Sequence, residues 1–382
     1  MDIIYLLGTS QAFFLAILAF FKRNKSTGDY MLASWLVFMG LHLLYYYLRT
    51  TGIIFQYPHL LGIGFCFPML QGPFMFVYVL VMINKTGRLK LDYWLHGLPF
   101  IIFSLYFIFD FYFLSADEKI AYYEMQSSTP TTVSKLTELL NVFLGPAYVI
   151  WSLIKLRKHR KNIGDNFSYT EQINLNWLNY VLGGLGLVWL TVLIVSVLGG
   201  FPVFSEGLEG HIIYISVTIA VFFLGFFGIR QQAIYRHVQG IKENKKVEKV
   251  RSPIKNETLY KNSGLKKVDS ERYLKKLFNY MENEKPYLNN RLSLKDVAEY
   301  LNISVHHLSQ VINEQLDKNF FDFVNDYRVT EVKNLLRDPK HKQFTLLAIA
   351  YDCGFNSKSS FNSVFKKITG LTPSSYVKLK IS

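Results

Sequence analysis

The chain has only two cysteines in 382 residues, Cys66 and Cys353. One lies in an apolar stretch and the other just ahead of a tight turn, so a disulfide framework does not organise the fold. Neither has a second Cys or a His at metal-ligand spacing, and no metal site is expected. Charged residues are also scarce, at 18%. Over the first 229 residues the apolar stretches hold no paired carboxylates, no phosphate-cradling loop and no nucleophile beside a base. That argues against an enzyme, or a transporter with a regulatory tail, and no cofactor is implied. No ATP-binding region follows these stretches, which argues against a histidine kinase. The start, Met1-Asp2-Ile3, has no basic segment ahead of its apolar run. An uncleaved first span is expected there, not a signal peptide.

What the chain has in abundance is apolar sequence: 50% hydrophobic and 16% aromatic residues, with 32 Phe and 25 Tyr. Seven apolar stretches stand out, Ile3–Phe21, Tyr30–Leu48, Leu60–Ile83, Tyr93–Leu114, Leu136–Ile154, Trp177–Leu198 and His211–Ile229. Each is close to the ~20 residues that cross ~30 Å of hydrocarbon as a helix. Pro68, Pro73 and Pro99 interrupt the third and fourth, which bundled membrane helices tolerate. Basic residues follow spans one (Lys22, Arg23, Lys25), three (Lys85, Arg88, Lys90) and five (Lys155, Arg157, Lys158, Arg160, Lys161). Only Arg49, Lys119 and Lys135 follow the even-numbered spans. The bias of basic residues toward cytoplasmic loops places the N-terminus outside and everything from Arg230 onward in the cytoplasm. A multi-pass protein of the inner (cytoplasmic) membrane is expected.

The longest outer loop, Ser115–Lys135, is too short to fold as a domain by itself. A signal would then be read within the bundle, at its outer mouth, or by a partner protein. His42, Gln71, Asp110 and Asn141 are the polar residues at membrane depth, and are ligand candidates there. Interhelical hydrogen bonding or snorkelling is the competing reading of each. Tyr45-Tyr46-Tyr47 reads as an interfacial aromatic belt. Residues 230–268 form a basic cytoplasmic linker, broken at Ser252-Pro253 and loosened at Gly264.

Net charge is +14 overall, and +12 of it lies from Arg230 onward. A basic C-terminal region favours phosphate backbones. Ser293 is placed to cap a helix through Leu294, Val297, Ala298 and Leu301, with Asp296 completing a capping box. Asn302 falls in the turn, and Ser304 caps a second helix. Phe320 to Leu336 reads as one long helix. Thr345 then caps a short helix, Gly354 supplies a residue tolerant of positive φ, and Phe355 plugs the corner. Ser357 caps the next helix, whose buried face is Phe361, Val364, Phe365 and Ile368. Gly370 stops it, and Thr372-Pro373 starts another.

The pattern Ile349-Ala350, Gly354-Phe355, Ser357, Ser359, Phe361, Phe365-Lys366-Lys367, Gly370, Thr372-Pro373 and Tyr376 closely resembles the signature of AraC/XylS-type transcription regulators of bacteria. The resemblance covers Asp269 to Val377. It implies two helix-turn-helix motifs joined by a long helix, with bases read from the exposed faces of two helices. Those faces carry His306, Ser309 and Gln310 in the first, and Lys358, Ser359, Asn362 and Ser363 in the second. Asn313, Lys366 and Lys367 are then phosphate contacts. Gly354, Phe355, Phe361, Phe365, Gly370 and Pro373 are the framework of the second motif. Asp317 stands where relatives usually have glycine, a position Asp can fill in the left-handed region.

The expectation is an all-α protein: a seven-helix membrane domain over 1–229, the linker 230–268, and a DNA-binding domain over 269–382. Its expected partners are double-stranded promoter DNA, the lipid bilayer, a second copy of the chain and the transcription machinery, with the signal ligand open. Two roles for the bundle also stay open. It senses, or it only anchors the domain and offers an interface to a partner sensor.

Overall fold

The computed structural model describes residues 2–23, 25–84, 89–128, 131–170, 173–198, 208–229, 267–341 and 343–380. All regular structure among them is helical, apart from one antiparallel bridge between Phe167 and Ser293. The chain divides into two compact units. One comprises Met1–Arg157 with Leu175–His237, the other Lys158–Asn174 with Val238–Ser382. The expected linker 230–268 lies outside the described residues except for its last two.

The first unit contains α1 (Asp2–Phe20), α2 (Thr27–Thr50), α3 (Phe67–Ile83), α4 (Leu98–Phe107), α5 (Ala116–Ser128), α6 (Thr132–Asn166, which ends in the second unit), α7 (Asn176–Leu198) and α8 (Leu208–Leu224). Its core gathers Ala12, Leu36, Leu43, Phe76, Leu156, Leu178 and Val221, among others. Small residues allow tight approach: a Cβ on Gly145 of α6 would fall 2.0 Å from the Trp189 indole of α7. Among the described residues six helical segments are long and apolar enough to cross a membrane, and Phe67–Ile83 is a shorter apolar helix.

Three stretches depart from plain apolar helices. The third becomes helical only at Phe67, because Pro58, Gly62 (φ +82) and Pro68 keep the residues before it in 3-10 turns and bends. The fourth is built of a 3-10 run (Leu91–Gly97), α4 and one π turn (Ile108–Tyr112). Pro99 opens α4, where its missing N–H costs nothing. The loop Ser115–Lys135 is largely the helix α5, whose Tyr122 hydroxyl donates to Asp110 Oδ2 at 2.7 Å.

The second unit contains α9 (Lys267–Asn283), α10 (Leu294–Leu301), α11 (Val305–Leu316), α12 (Phe320–Arg337), α13 (Leu346–Asp352), α14 (Lys358–Thr369) and α15 (Pro373–Lys380). It has two apolar cores. Phe320, Phe323 and Val324 from the first half of α12 pack with α9, α10 and α11. Val329 and Val332 from its second half pack with α13, α14 and α15. At 1.5 Å per residue α12 is ~27 Å long, a strut holding two small modules at a set spacing.

Candidate functional site

Local sequence sets both modules. Ser293 accepts from the Asp296 N–H while the Asp296 carboxylate accepts from the Ser293 N–H, a full capping box at the start of α10. Asn302 closes α10 in the left-handed region (φ 53), and Ser304 caps α11 through the His307 N–H. Asp317 ends α11 at φ 51, as a glycine would. In the second module Thr345 caps α13, Gly354 turns at φ +88, Ser357 caps α14, and Gly370 stops it at φ +77. A Cβ on Gly354 would fall 2.5 Å from the Tyr287 carbonyl and 2.9 Å from that of Leu288. Only glycine fits both the φ and the space. Phe355, Phe361 and Phe365 pack in tilted and edge-to-face contacts along one buried row, ending on Tyr376, and Pro373 is buried too.

Opposite that row, α14 presents Lys358, Ser359, Asn362, Ser363, Lys366 and Lys367, all exposed. Ser359 Oγ lies 2.9 Å from Ser357 Oγ. Lys367 Nζ donates to Asp322 of α12 at 2.6 Å, which ties α14 to the strut and diverts that ammonium from phosphate. Ile368 is 41% exposed. The expected inward face therefore stops at Phe365, one turn before the helix ends at Thr369.

The α11 surface differs from expectation at one position. His306 is exposed, and Ser309 and Asn313 are half-buried on the same side, with Asn313 Nδ2 donating to the Ser309 carbonyl at 2.8 Å. Gln310 is only 5% exposed, and its amide donates to both Glu314 carboxylate oxygens at 3.1 Å. In this geometry Gln310 does not present itself to a base. The i,i+4 acid draws it along the helix, and Val311 and Ile312 pull that side inward. Cys353 lies at the turn of the second module, where burial, then Glu331 and Asp352, push its thiol up to about 12. It packs as a small apolar residue.

In the first unit a cavity of about 1170 Å³ is lined by residues that include His42, Gln71 and Asn141. Three of the four polar ligand candidates thus converge. Asp110 is not among the lining residues and is held by Tyr122 instead. Trp35 Nε1 donates to Gln71 Oε1 at 2.9 Å, and Gln71 Nε2 sits 3.3 Å from His42 Nδ1. His42 Nε2 lies 2.9 Å from the Tyr214 hydroxyl. Read as a chain, Gln71 donates to Nδ1 and the neutral imidazole keeps its proton on Nε2. Tyr214 stacks on Tyr46 at 3.5 Å between ring centres, so this member of the tyrosine run packs inside the bundle. Asn141 Oδ1 is buried and meets no donor among the described residues. Asp2, Arg49 and Glu138 add charge of both signs to the lining.

Sequence reasoning missed Arg328. It is fully buried in α12 and holds three backbone carbonyls and two side-chain oxygens. A signal was there: Phe320, Val324, Arg328 and Val332 repeat every fourth residue, which puts an arginine in a core stripe.

Residues 297–379 match the family model described as a helix-turn-helix domain. Over 85 residues the chain is 36% identical to an uncharacterized HTH-type transcriptional regulator of Staphylococcus aureus strain COL, covering 22% of this chain and 11% of that one. Over 88 residues it is 30% identical to the melibiose operon regulatory protein of Escherichia coli strain K12, covering 23% of this chain and 28% of that one. The chain therefore spans well under a third of the length of these curated relatives. No solved structure matches it. The matched span runs from within α10 through α11, α12, α13 and α14 into α15, and it is a helix-turn-helix domain that takes in the pattern at Ile349–Val377.

Proposed function

We propose that this protein is a membrane-embedded, sequence-specific DNA-binding transcription regulator that couples a signal sensed in its helical bundle to promoter binding. The observation that carries the DNA half is the pair of capped reading helices, α11 and α14, braced on one strut. Their exposed faces are polar, with Lys358, Lys366 and Lys367 basic and Glu314 acidic, and free of large apolar groups apart from Ile368 at the very end. Two such helices on one ~27 Å strut suit successive major-groove faces about one turn, ~34 Å, apart. Lys358, Ser359, Asn362 and Ser363 of α14, with His306 and Ser309 of α11, are the base-reading set. Lys366 and Asn313 serve phosphate.

The membrane reading is supported by the outward faces of the first unit. Leu7, Phe14 and Ile17 of α1, Phe143, Ile150 and Ile154 of α6, and Leu187, Leu190 and Ile194 of α7 are all exposed. Water would penalise so much contiguous apolar surface, and hydrocarbon would not. With the reading domain in the cytoplasm, the basic loops lie on the same side.

Sensing is favoured over mere anchoring by the cavity. A bundle that only anchors has no need of a large polar-lined space with an unpartnered acceptor. Aromatic walls with Asn141 Oδ1 unmet suit a ligand with an apolar body and an N–H or O–H donor. Asn141→Phe, which removes the unpartnered acceptor and puts a ring into the cavity, is expected to shift occupancy of a bound promoter about tenfold in cells, a ~1.4 kcal/mol change. An unchanged occupancy under every growth condition would leave the bundle an anchor.

On the DNA side, Asn362→Ala is expected to cost about 1–3 kcal/mol on the preferred site and to relax preference at one base pair. Lys366→Ala should weaken all sequences alike and lower the salt slope by about one. Gel-shift titrations of the full chain in nanodiscs, on sites selected from random DNA, separate the two. Equal effects of Asn362→Ala on all sequences would remove it from the reading set.

A further inference from the structure

Arg328 is bonded to more than its own domain's neighbours in sequence. Its guanidinium offers five N–H donors and no acceptor. Nε donates to the Tyr287 carbonyl at 2.8 Å. One terminal nitrogen donates to the Ser168 carbonyl at 2.8 Å and to Asn325 Oδ1 at 3.2 Å. The other donates to Ser168 Oγ at 3.0 Å and to the Asn289 carbonyl at 2.9 Å. The Phe355 ring centre lies 6.0 Å away. One side chain thus touches the lead-in to the first helix-turn-helix, the turn of the second, and a segment 160 residues earlier in the chain.

That segment, Lys158–Asn174, belongs to the second unit. Ser168 has no exposed surface. Its N–H and its hydroxyl both donate to the Leu292 carbonyl, at 3.2 and 2.7 Å. Phe167 pairs with Ser293, the residue that caps α10. Ile163 and Tyr169 are buried. The segment folds back on itself, with Arg160 Nε donating to the Asn174 carbonyl at 3.3 Å. The bonds named here, to Arg328, Leu292 and Ser293, use none of the exposed residues proposed to read bases.

We propose that Lys158–Asn174 is a docking strap. Its first nine residues, 158–166, are the end of α6 and it leads on to α7, yet it folds as part of the reading unit and grips it through Arg328. Movement of α6 or α7 would then reach both helix-turn-helix motifs through one guanidinium, without passing along residues 238–266. What the strap transmits rests on the sensing reading above. That it docks does not.

The test uses the full-length chain in membrane vesicles, with Phe167→Cys and Ser293→Cys. Opposed residues in an antiparallel bridge lie about 4.5–5.5 Å apart at Cα, within disulfide reach. Oxidation with copper phenanthroline is expected to link most molecules. It is read as retention of the C-terminal fragment after cleavage at a protease site engineered between residues 240 and 260. Variants with only one of the two substitutions, which keep the buried Cys66 and Cys353, should retain none. Adding Ser168→Lys, which sets an ammonium against the buried guanidinium, should lower linkage about tenfold. Hydrogen exchange of the α11 and α14 amides should stay slow in that variant. No linkage in the pair, or linkage unmoved by Ser168→Lys, overturns the strap. Loss of linkage together with amide protection makes the segment core rather than strap, and also overturns it.

Transmission has its own readout. Ser168→Lys is expected to erase the occupancy shift caused by Asn141→Phe, and persistence of that shift overturns transmission through the strap. If Asn141→Phe alone shifts nothing, sensing fails while the linkage still decides docking. Linkage in vesicles that bind no promoter would leave the strap standing and fail the regulator reading.

Discussion

Replacing Arg328 by methionine is expected to destabilise the second unit by about 3–5 kcal/mol, the range seen when one partner of a buried polar cluster is removed. Methionine has a similar length and a good helix propensity, so α12 itself is not the victim. The loss comes from the acceptors left behind. Three of the five are backbone carbonyls, of Tyr287, Ser168 and Asn289, and no compensating substitution can remove them. This separates Arg328 from buried ion pairs that apolar residues replace without penalty, where both partners can be exchanged. Each orphaned acceptor carries its desolvation cost, about 1–3 kcal/mol before relaxation and water entry. Hydrogen exchange on the full chain provides the measurement. Amides of α10, α12 and α14 should exchange about 10²- to 4 × 10³-fold faster, by the 1.4 kcal/mol-per-decade relation. Arg328→Lys should recover only part of the loss, since three donors on a flexible stem cannot meet five fixed acceptors.

The second large effect is at Gly354, where alanine is expected to cost about 2–4 kcal/mol. The left-handed conformation costs a non-glycine residue about 1–2 kcal/mol. The new Cβ would press on two backbone carbonyls, 2.5 and 2.9 Å away, belonging to Tyr287 and Leu288. Overpacking of that kind costs about 1–3 kcal/mol, and backbone neighbours cannot rotate aside. Tyr287 also supplies the carbonyl that Arg328 Nε holds. The two substitutions therefore strike one knot, and their effects should combine non-additively in a double-mutant cycle. Protection of the α14 amides should fall in Gly354→Ala by somewhat less than in Arg328→Met, and Gly370→Ala should cost less again. Gly370 also has positive φ, but a Cβ there meets nothing within 4 Å.

The C-terminal domain was legible because its instructions are local. Ser293, Ser304, Thr345 and Ser357 cap helices within three residues of themselves, and Asn302, Asp317, Gly354 and Gly370 turn the chain where they stand. Short-range chemistry of that kind survives any tertiary context. The failures are equally physical. Gln310 belongs to a polar position on the helical wheel, yet Glu314 one turn on captures its amide. Ile368 continues an apolar spacing beyond the point where α14 has a neighbour. The third apolar stretch has the length of one span, but its helix starts only at Phe67.

Convergence in three dimensions was the least legible. His42, Gln71 and Asn141 were singled out as polar residues in apolar surroundings, and nothing in their spacing said that they line one cavity or that Asp110 would not. The strap was hidden for the same reason. Ser168 sits in a short polar connection after a cluster of lysines and arginines, and reads as solvated loop. Its partners lie 124 and 160 residues away. Only the arginine in the core stripe of α12 hinted that something polar had to meet it.

The central claim is that a chain held in the membrane reads specific DNA with α11 and α14. Genome-wide mapping of DNA crosslinked to the full-length chain, recovered from the membrane fraction, tests it most directly. Discrete sites are expected, each with two read segments about one helical turn, ~10 bp, apart. Occupancy at those sites should fall in Asn362→Ala. Uniform background from the membrane fraction, or discrete sites that ignore Asn362→Ala and Lys358→Ala alike, would contradict the account.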